Sequence, residues 1–427
     1  MRLLARLSAA MLAWVAAAAS GQDLAIVNGR AWTGNGAGPV ENATVIVRGG
    51  RIATVQAGGA VPAGIMAIDA GGRNVTPGLF AGATQLGLVE VSGAEDTADE
   101  SVDAGKLGPA FEVAPAVNSN SLLVEQARGD GVLWAMAFPT GTPTSPFLGQ
   151  SALLRLGAGS MLARPRAAMF VRIGGSASAN AGGSRAAQWS LLRRALTEAA
   201  QLGTRGELGA DDRLFSRHDL EALRPVVAGR MILAIQTNRE SDIRQAIQLG
   251  RELRLRVVLV GGAEAWRVAG ELAAARIPVL VDPGANLPLS YDELGARSDN
   301  AALLHRAGVT VGIVPSAHGI DMNYNVGVSS RMAAGLAVAA GLPYAAAIRA
   351  LTFAPAQIWG AEGTTGSLEP GRVADLVIWD GDPLEPGSAP AHVIAGGRQL
   401  STLTREQQLS RRYAPGNKDD PWPPAYR

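Results

Sequence analysis

The chain has four histidines, His218, His305, His318 and His392, and no cysteine. Without thiols there are no disulfides, thiolate metal sites or cysteine nucleophiles. His318 and Asp321 stand three residues apart, a spacing at which an imidazole base can meet an orienting carboxylate. Ser316 lies beside them as a candidate nucleophile, although three residues of one short loop rarely face each other. Asp282 and Glu264 each follow an apolar run, where barrel-type folds gather their chemistry. The plainer reading is favoured for both: Asp282-Pro283-Gly284 is turn chemistry, and Glu264 suits the first turn of a helix. The acidic residues between Glu90 and Asp103 offer oxygen ligands for calcium but lack the fixed spacing of a calcium loop, so a solvated loop is favoured. The glycines fall in turns without the strand–glycine–helix order of a phosphate or dinucleotide loop.

The elements that must position these groups alternate. Strand-like apolar runs at 131–137, 168–173, 231–235, 257–260, 278–281 and 309–314 are interleaved with helix-like stretches at 186–202, 217–228, 240–253, 263–275, 300–307, 332–340 and 344–351. Such alternation predicts repeated βα units around a parallel sheet. On this reading His218 opens a helix, His305 lies within one, and His392 belongs to a C-terminal β-segment, which leaves His318 at the catalytic end of the strands. Short strands with Asn-Gly and Gly-Gly breaks fill 23–74, and a comparable β-segment follows Gly366. The Gly/Ser/Ala-rich stretch 174–184 reads as a loop, and 401–427 as a polar, Pro-rich tail.

The net charge of +1 and the 47% hydrophobic content describe a well-cored α/β protein with no electrostatic reason to bind nucleic acid. Lysine occurs at Lys106 and Lys418 alone. Residues 1–22 have the form of a secretory signal: Arg2 and Arg6, an apolar segment from Leu7 to Ala19, then small residues. That segment is short of the roughly 20 residues needed to span a bilayer. The expected location is periplasmic or secreted, with no stable membrane span.

Val75-Thr76-Pro77-Gly78-Leu79-Phe80-Ala81-Gly82-Ala83-Thr84-Gln85-Leu86-Gly87 resembles the opening of the catalytic barrel in the metal-dependent amidohydrolase superfamily, and Gly366 to Asp380 resembles its C-terminal β-segment. The resemblance is to the imidazolonepropionase-like group and runs from Asp23 to about Leu400. It implies a (β/α)8 TIM-like barrel over 75–362 and a small β-sandwich domain built from 23–74 and 363–400. It also implies zinc held by histidines at the mouth, and hydrolysis of C–N bonds in amides or cyclic amides. Here the two first-strand ligand positions hold Ala83 and Gln85. The fourth strand, Met169-Phe170-Val171-Arg172, has no lysine to be carboxylated. Gln236, followed by Thr237, Asn238 and Arg239, stands where the fifth strand usually carries histidine. Glycine occupies the sixth-strand position, and Ser316 falls where an aspartate is expected. The segment 141–151 resembles a mouth loop ending in Gly-Gln.

One histidine and no cysteine cannot build a multi-histidine zinc site. The expectation is therefore a metal-free, non-catalytic homologue. It would bind a small molecule or peptide, or form a homo- or hetero-oligomer with an intact amidohydrolase. Gln85, Gln236, Asn238, Arg239 and Ser316 would line the mouth. The alternative is an active hydrolase with a metal-independent site built from His318, Asp321, Asp282 and Glu264.

Overall fold

A computed structural model describes residues 22–102, 107–144, 146–157, 159–175, 183–315 and 322–413. The signal-like residues 1–21, Asp103, most of 174–184, the segment 316–321 and residues 414–427 lie outside the described residues. Ser316, His318 and Asp321 are therefore among those not placed.

Eight strands from both ends of the chain share one sheet. They are β1 (Leu24–Ala31), β2 (Val40–Arg48), β3 (Arg51–Ala57), β4 (Met66–Asp69), β5 (Asn74–Pro77) and, from the far end, β16 (Leu376–Trp379), β17 (Pro390–Ala395) and β18 (Arg398–Leu400). The order is β18-β17-β16-β5-β1-β2-β3, with β4 also on β1. The sheet closes over a core of its own, including Leu24, Ile26, Val45, Val47, Leu376, Ile378 and Ile394.

The chain leaves this sheet at Thr76-Pro77-Gly78 and enters β6 (Leu79–Thr84), all six residues of which are buried. Gly78 is needed for the approach: a Cβ there would sit 2.7 Å from Cδ1 of Leu133. β6 pairs in parallel with β7 (Val132–Ala137). Next come β8 (Phe147–Gln150), β9 (Ala152–Arg155) and β10 (Leu162–Arg164). The parallel run is β11 (Ala168–Arg172), β12 (Ile232–Thr237), β13 (Val257–Gly261), β14 (Val279–Val281) and β15 (Val311–Ile313). Most of these strands are apolar on both faces because helices cover one side and a shared interior the other. Helix Glu240–Glu252, for example, buries Ile243, Ala246, Ile247 and Leu249, the single stripe its periodicity provides.

The segment 141–151 differs from the mouth loop expected of it. Its second half is β8, which runs antiparallel to β11, while β9, one residue on, runs antiparallel to β7. The chain crosses from one sheet to the other at Ser151, whose N–H donates to Ala168 O and whose O accepts from Ala167 N. The order around the interior is thus β6, β7, β9 and β8 as one broken strand, then β11 through β15. Turn-rich residues 141–146 hid this strand. A Cβ on Gly82 of β6 would lie 3.0 Å from Cδ2 of Leu280 in β14 and 3.3 Å from Cγ1 of Val314, the residue after β15. The tail also departs from expectation over 405–413, where Arg405–Tyr413 is helical. The helix expected at 263–275 is split into a 3-10 turn, Ala265–Val268, and a shorter helix, Ala269–Ala275.

Candidate functional site

The C-terminal ends of β6, β7, β11 and β12 bring Gln85, Thr140, Arg172 and Gln236 to one end of the interior. Beneath them lies an aromatic floor. Phe138 stacks on Phe170 with ring centroids 4.9 Å apart, and Phe170 stacks on Trp359 at 5.8 Å. Trp359 is held by its indole N–H, which donates to Gly82 O at 2.7 Å. This packing closes the interior below the strand ends, so the chemistry is confined to the groups above it.

Gln85 is buried and tied twice to the segment that follows 316–321. Its N–H donates to Met322 O at 3.3 Å, and its Oε1 accepts from Nδ2 of Asn323 at 3.2 Å. Thr84 adds a hydroxyl bond to Met322 O. Arg172, the last residue of β11, donates through Nε to Oε1 of Gln236 at 2.8 Å. Burial lowers the pKa of this guanidinium from its ordinary value, yet an arginine stays charged in a protein.

Gln85, Glu100, Phe138, Thr140, Arg172 and Asn323 line a cavity of about 180 Å³. Two acceptors here, Oε2 of Glu100 and Oδ1 of Asn323, are buried without a hydrogen-bond donor among the described residues. Such groups cost about 1–3 kcal/mol each when left unsatisfied.

The remaining sequence-derived candidates lie elsewhere. Asn238 accepts from Ala263 N at 3.3 Å and donates to Oε1 of Glu293 at 2.8 Å. Asn238, Asp282 and Glu293 line a second cleft of about 390 Å³, together with the apolar Leu287, Leu289 and Leu336. Oδ1 of Asp282 accepts from Gly284 N at 2.8 Å, the turn bond its Pro-Gly neighbours suggested. Glu264 is placed apart from the Arg172 cavity. It sits just before the 3-10 turn, and its two oxygens accept from Glu240 N at 2.9 Å and Gly295 N at 2.8 Å. The carboxylate clamps two loops together. Arg239 is exposed and directly precedes helix Glu240–Glu252. His218 and His305 are exposed on helices, and His392 lies in β17 beside Gln399. A further cavity of about 490 Å³ opens among residues such as Ile232, Val257, Pro278 and Thr310. Those are the N-terminal ends of the strands, the end that barrel-type folds use for stability.

Among the described residues no three His, Asp or Glu side chains are grouped to hold a metal ion. Nor is any helix there long and apolar enough to cross a membrane. The acidic stretch is spent on turns: Glu90 Oε1 accepts from Leu122 N at 2.8 Å, and Glu95–Thr97 is a 3-10 turn. Arg172 and Asn323 are not among the sequence-derived candidates, and Glu100 is one only as part of the acidic stretch. Arg172 carried one signal, a charge ending an otherwise apolar strand. Asn323 carried none, because its partner Gln85 is 238 positions away.

Comparison with known proteins points to amidohydrolases. The profile of the Amidohydrolase family matches residues 235–404. Over 79 residues the chain is 39% identical to the curated Amidohydrolase tasK of Hapsidospora irregularis. That stretch is 18% of this chain and only 8% of the relative's length. In fold it is similar to a crystal structure of an amidohydrolase from Thermotoga maritima MSB8. There the identity is 21%, the alignment covers 88% of this chain and 99% of the other, and the TM-score is 0.77. Molinate hydrolase shares the fold more loosely, with 19% identity, 90% and 95% coverage and a TM-score of 0.55. The chain therefore has the mixed α/β architecture of these amidohydrolases around the mouth described above.

Proposed function

We propose that this chain is a metal-free, non-catalytic member of the amidohydrolase superfamily that works as a binding protein. The carrying observation is the Arg172–Gln236 pair at the strand ends. A fixed guanidinium repels a divalent ion, and its planar fork is suited to oxyanions. Around it stand carboxamides, which are poor ligands for a catalytic zinc. The reaction implied by the family needs a water whose pKa a metal has lowered, and these donors do not fit that ion.

The same reading closes the strand order from β6 to β15 into an eight-position barrel over 75–362. It takes 23–74 with 363–400 as a β-sandwich domain and 401–427 as a tail. Removal of residues 1–22 would deliver the protein to the periplasm or outside the cell. Exposed apolar residues at Leu287, Leu289, Tyr291 and Leu294 favour a partner surface, with an intact, metal-bearing amidohydrolase as the partner.

The test is metal analysis of the protein after zinc reconstitution and desalting. Zinc far below one ion per chain is expected, in wild type and in Arg172→Met alike. Stoichiometric zinc that disappears on substitution of Gln85 or Gln236 would overturn the reading.

A further inference from the structure

Resting on that reading of the mouth, the chemistry of the 180 Å³ cavity specifies what fills it. Arg172 uses Nε on Gln236, and among the described residues no acceptor meets its Nη1 or Nη2. Glu100 and Asn323 bring the opposite need: each has a buried oxygen lacking a donor among the described residues. Arg172 and Glu100 line the same cavity, yet among the described residues neither makes an ion pair. Opposite charges kept apart in one cavity suit a guest carrying the complementary pair. A plain anion would leave the two acceptors unmet, and a plain cation would meet Arg172.

We propose that this cavity binds a small free α-amino acid as its zwitterion, the carboxylate on Arg172 and the ammonium on Glu100 and Asn323. Arg172 is preorganised for the carboxylate because Gln236 fixes its Nε and leaves the outer edge of the fork for two parallel bonds. Gln85 holds Nδ2 of Asn323, so that Oδ1 is the atom left for the ammonium. The volume is roughly six waters' worth, which admits a short side chain over Phe138 and excludes a long one.

The experiment is isothermal titration calorimetry on the full-length mature protein, with zinc content measured on the same batch. The probes are glycine, L-alanine, L-serine and L-proline, then N-acetyl-L-alanine and L-alaninamide. At least one free amino acid should bind, and each blocked alanine should bind at least about tenfold more weakly than L-alanine. Arg172→Lys should weaken the zwitterion by a similar factor. Glu100→Gln should narrow the gap between L-alanine and its N-acetyl form. Silence of all four free amino acids on zinc-free protein would overturn this inference alone, and so would blocked forms that bind as tightly. One zinc per chain would instead overturn the reading beneath it. The comparison of free with blocked ligands needs no variant, so misfolding of a mutant does not blur the result.

Discussion

Asp242, in the first turn of helix Glu240–Glu252, is a buried carboxylate with an incomplete set of partners. Trp189 donates to its Oδ1 at 3.0 Å, while Oδ2 has no hydrogen-bond donor among the described residues and lies 3.5 Å from Nε of Arg185. Burial raises its pKa above the ordinary 3.8, against the opposing pull of Trp189 and Arg185. A carboxyl whose pKa is higher folded than unfolded binds more protons in the native state. Its contribution is therefore fully present below 3.8 and is lost as pH climbs through the raised folded value. Asp242→Asn keeps the acceptor for Trp189 and removes the titration. Measured by urea unfolding from about pH 4 to pH 8, the variant should gain on wild type as pH rises and then level off. A stability difference that stays constant with pH would refute this account.

The interior between the strands depends on elements approaching closely. A Cβ on Gly312, in the middle of β15, would lie 2.5 Å from Cδ2 of Leu280 and 3.3 Å from Cδ1 of Ile358. Leu280, in β14, also fills the space beside Gly82 of β6, so one side chain bridges strands from opposite ends of the order. Gly312→Ala should cost about 1–3 kcal/mol by overpacking, read as a lower denaturant midpoint at unchanged slope. Adding Leu280→Val should recover part of that loss, because the two sites share one volume. Additive effects of the two substitutions would mean that the contact is not the cause.

Across the whole molecule, Asp375 ties the eight-stranded sheet to the strands that carry the mouth. Buried just before β16, it accepts from Trp134 Nε1 in β7 at 2.7 Å and from Gly396 N at 2.8 Å. Nη2 of Arg155 in β9 lies 3.4 Å from it. Trp379 Nε1 adds a buried bond to Thr76 Oγ1 at 2.9 Å. Asp375→Ala would leave two buried donors and a guanidinium without their acceptor, at a cost of about 3 kcal/mol. Wild type should unfold in one transition by tryptophan fluorescence and circular dichroism, whereas the variant should unfold with the two signals separated. Coincident curves in the variant would place the coupling elsewhere.

Periodicity and composition alone determined the alternating α/β class, most of the strands after β6 and the shortage of metal-binding side chains. Those properties are local or countable, and four histidines are four in any fold. The chain-end segments carried their own signal too, since the resemblance at Thr76-Pro77-Gly78-Leu79 and Gly366 to Asp380 marks the two β-segments that meet in one sheet. Residues 147–155 were illegible because a strand shared between two sheets needs neither a long apolar run nor a clean turn. Only tertiary structure separated Asn238 and Asp282 from Gln85 and Arg172, and showed which backbone groups the Glu264 carboxylate meets. Carboxylate, guanidinium and carboxamide have the same chemistry wherever they stand. What each does is decided by which partners the fold brings within about 3 Å, and for Gln85 that partner comes from 238 positions along the chain.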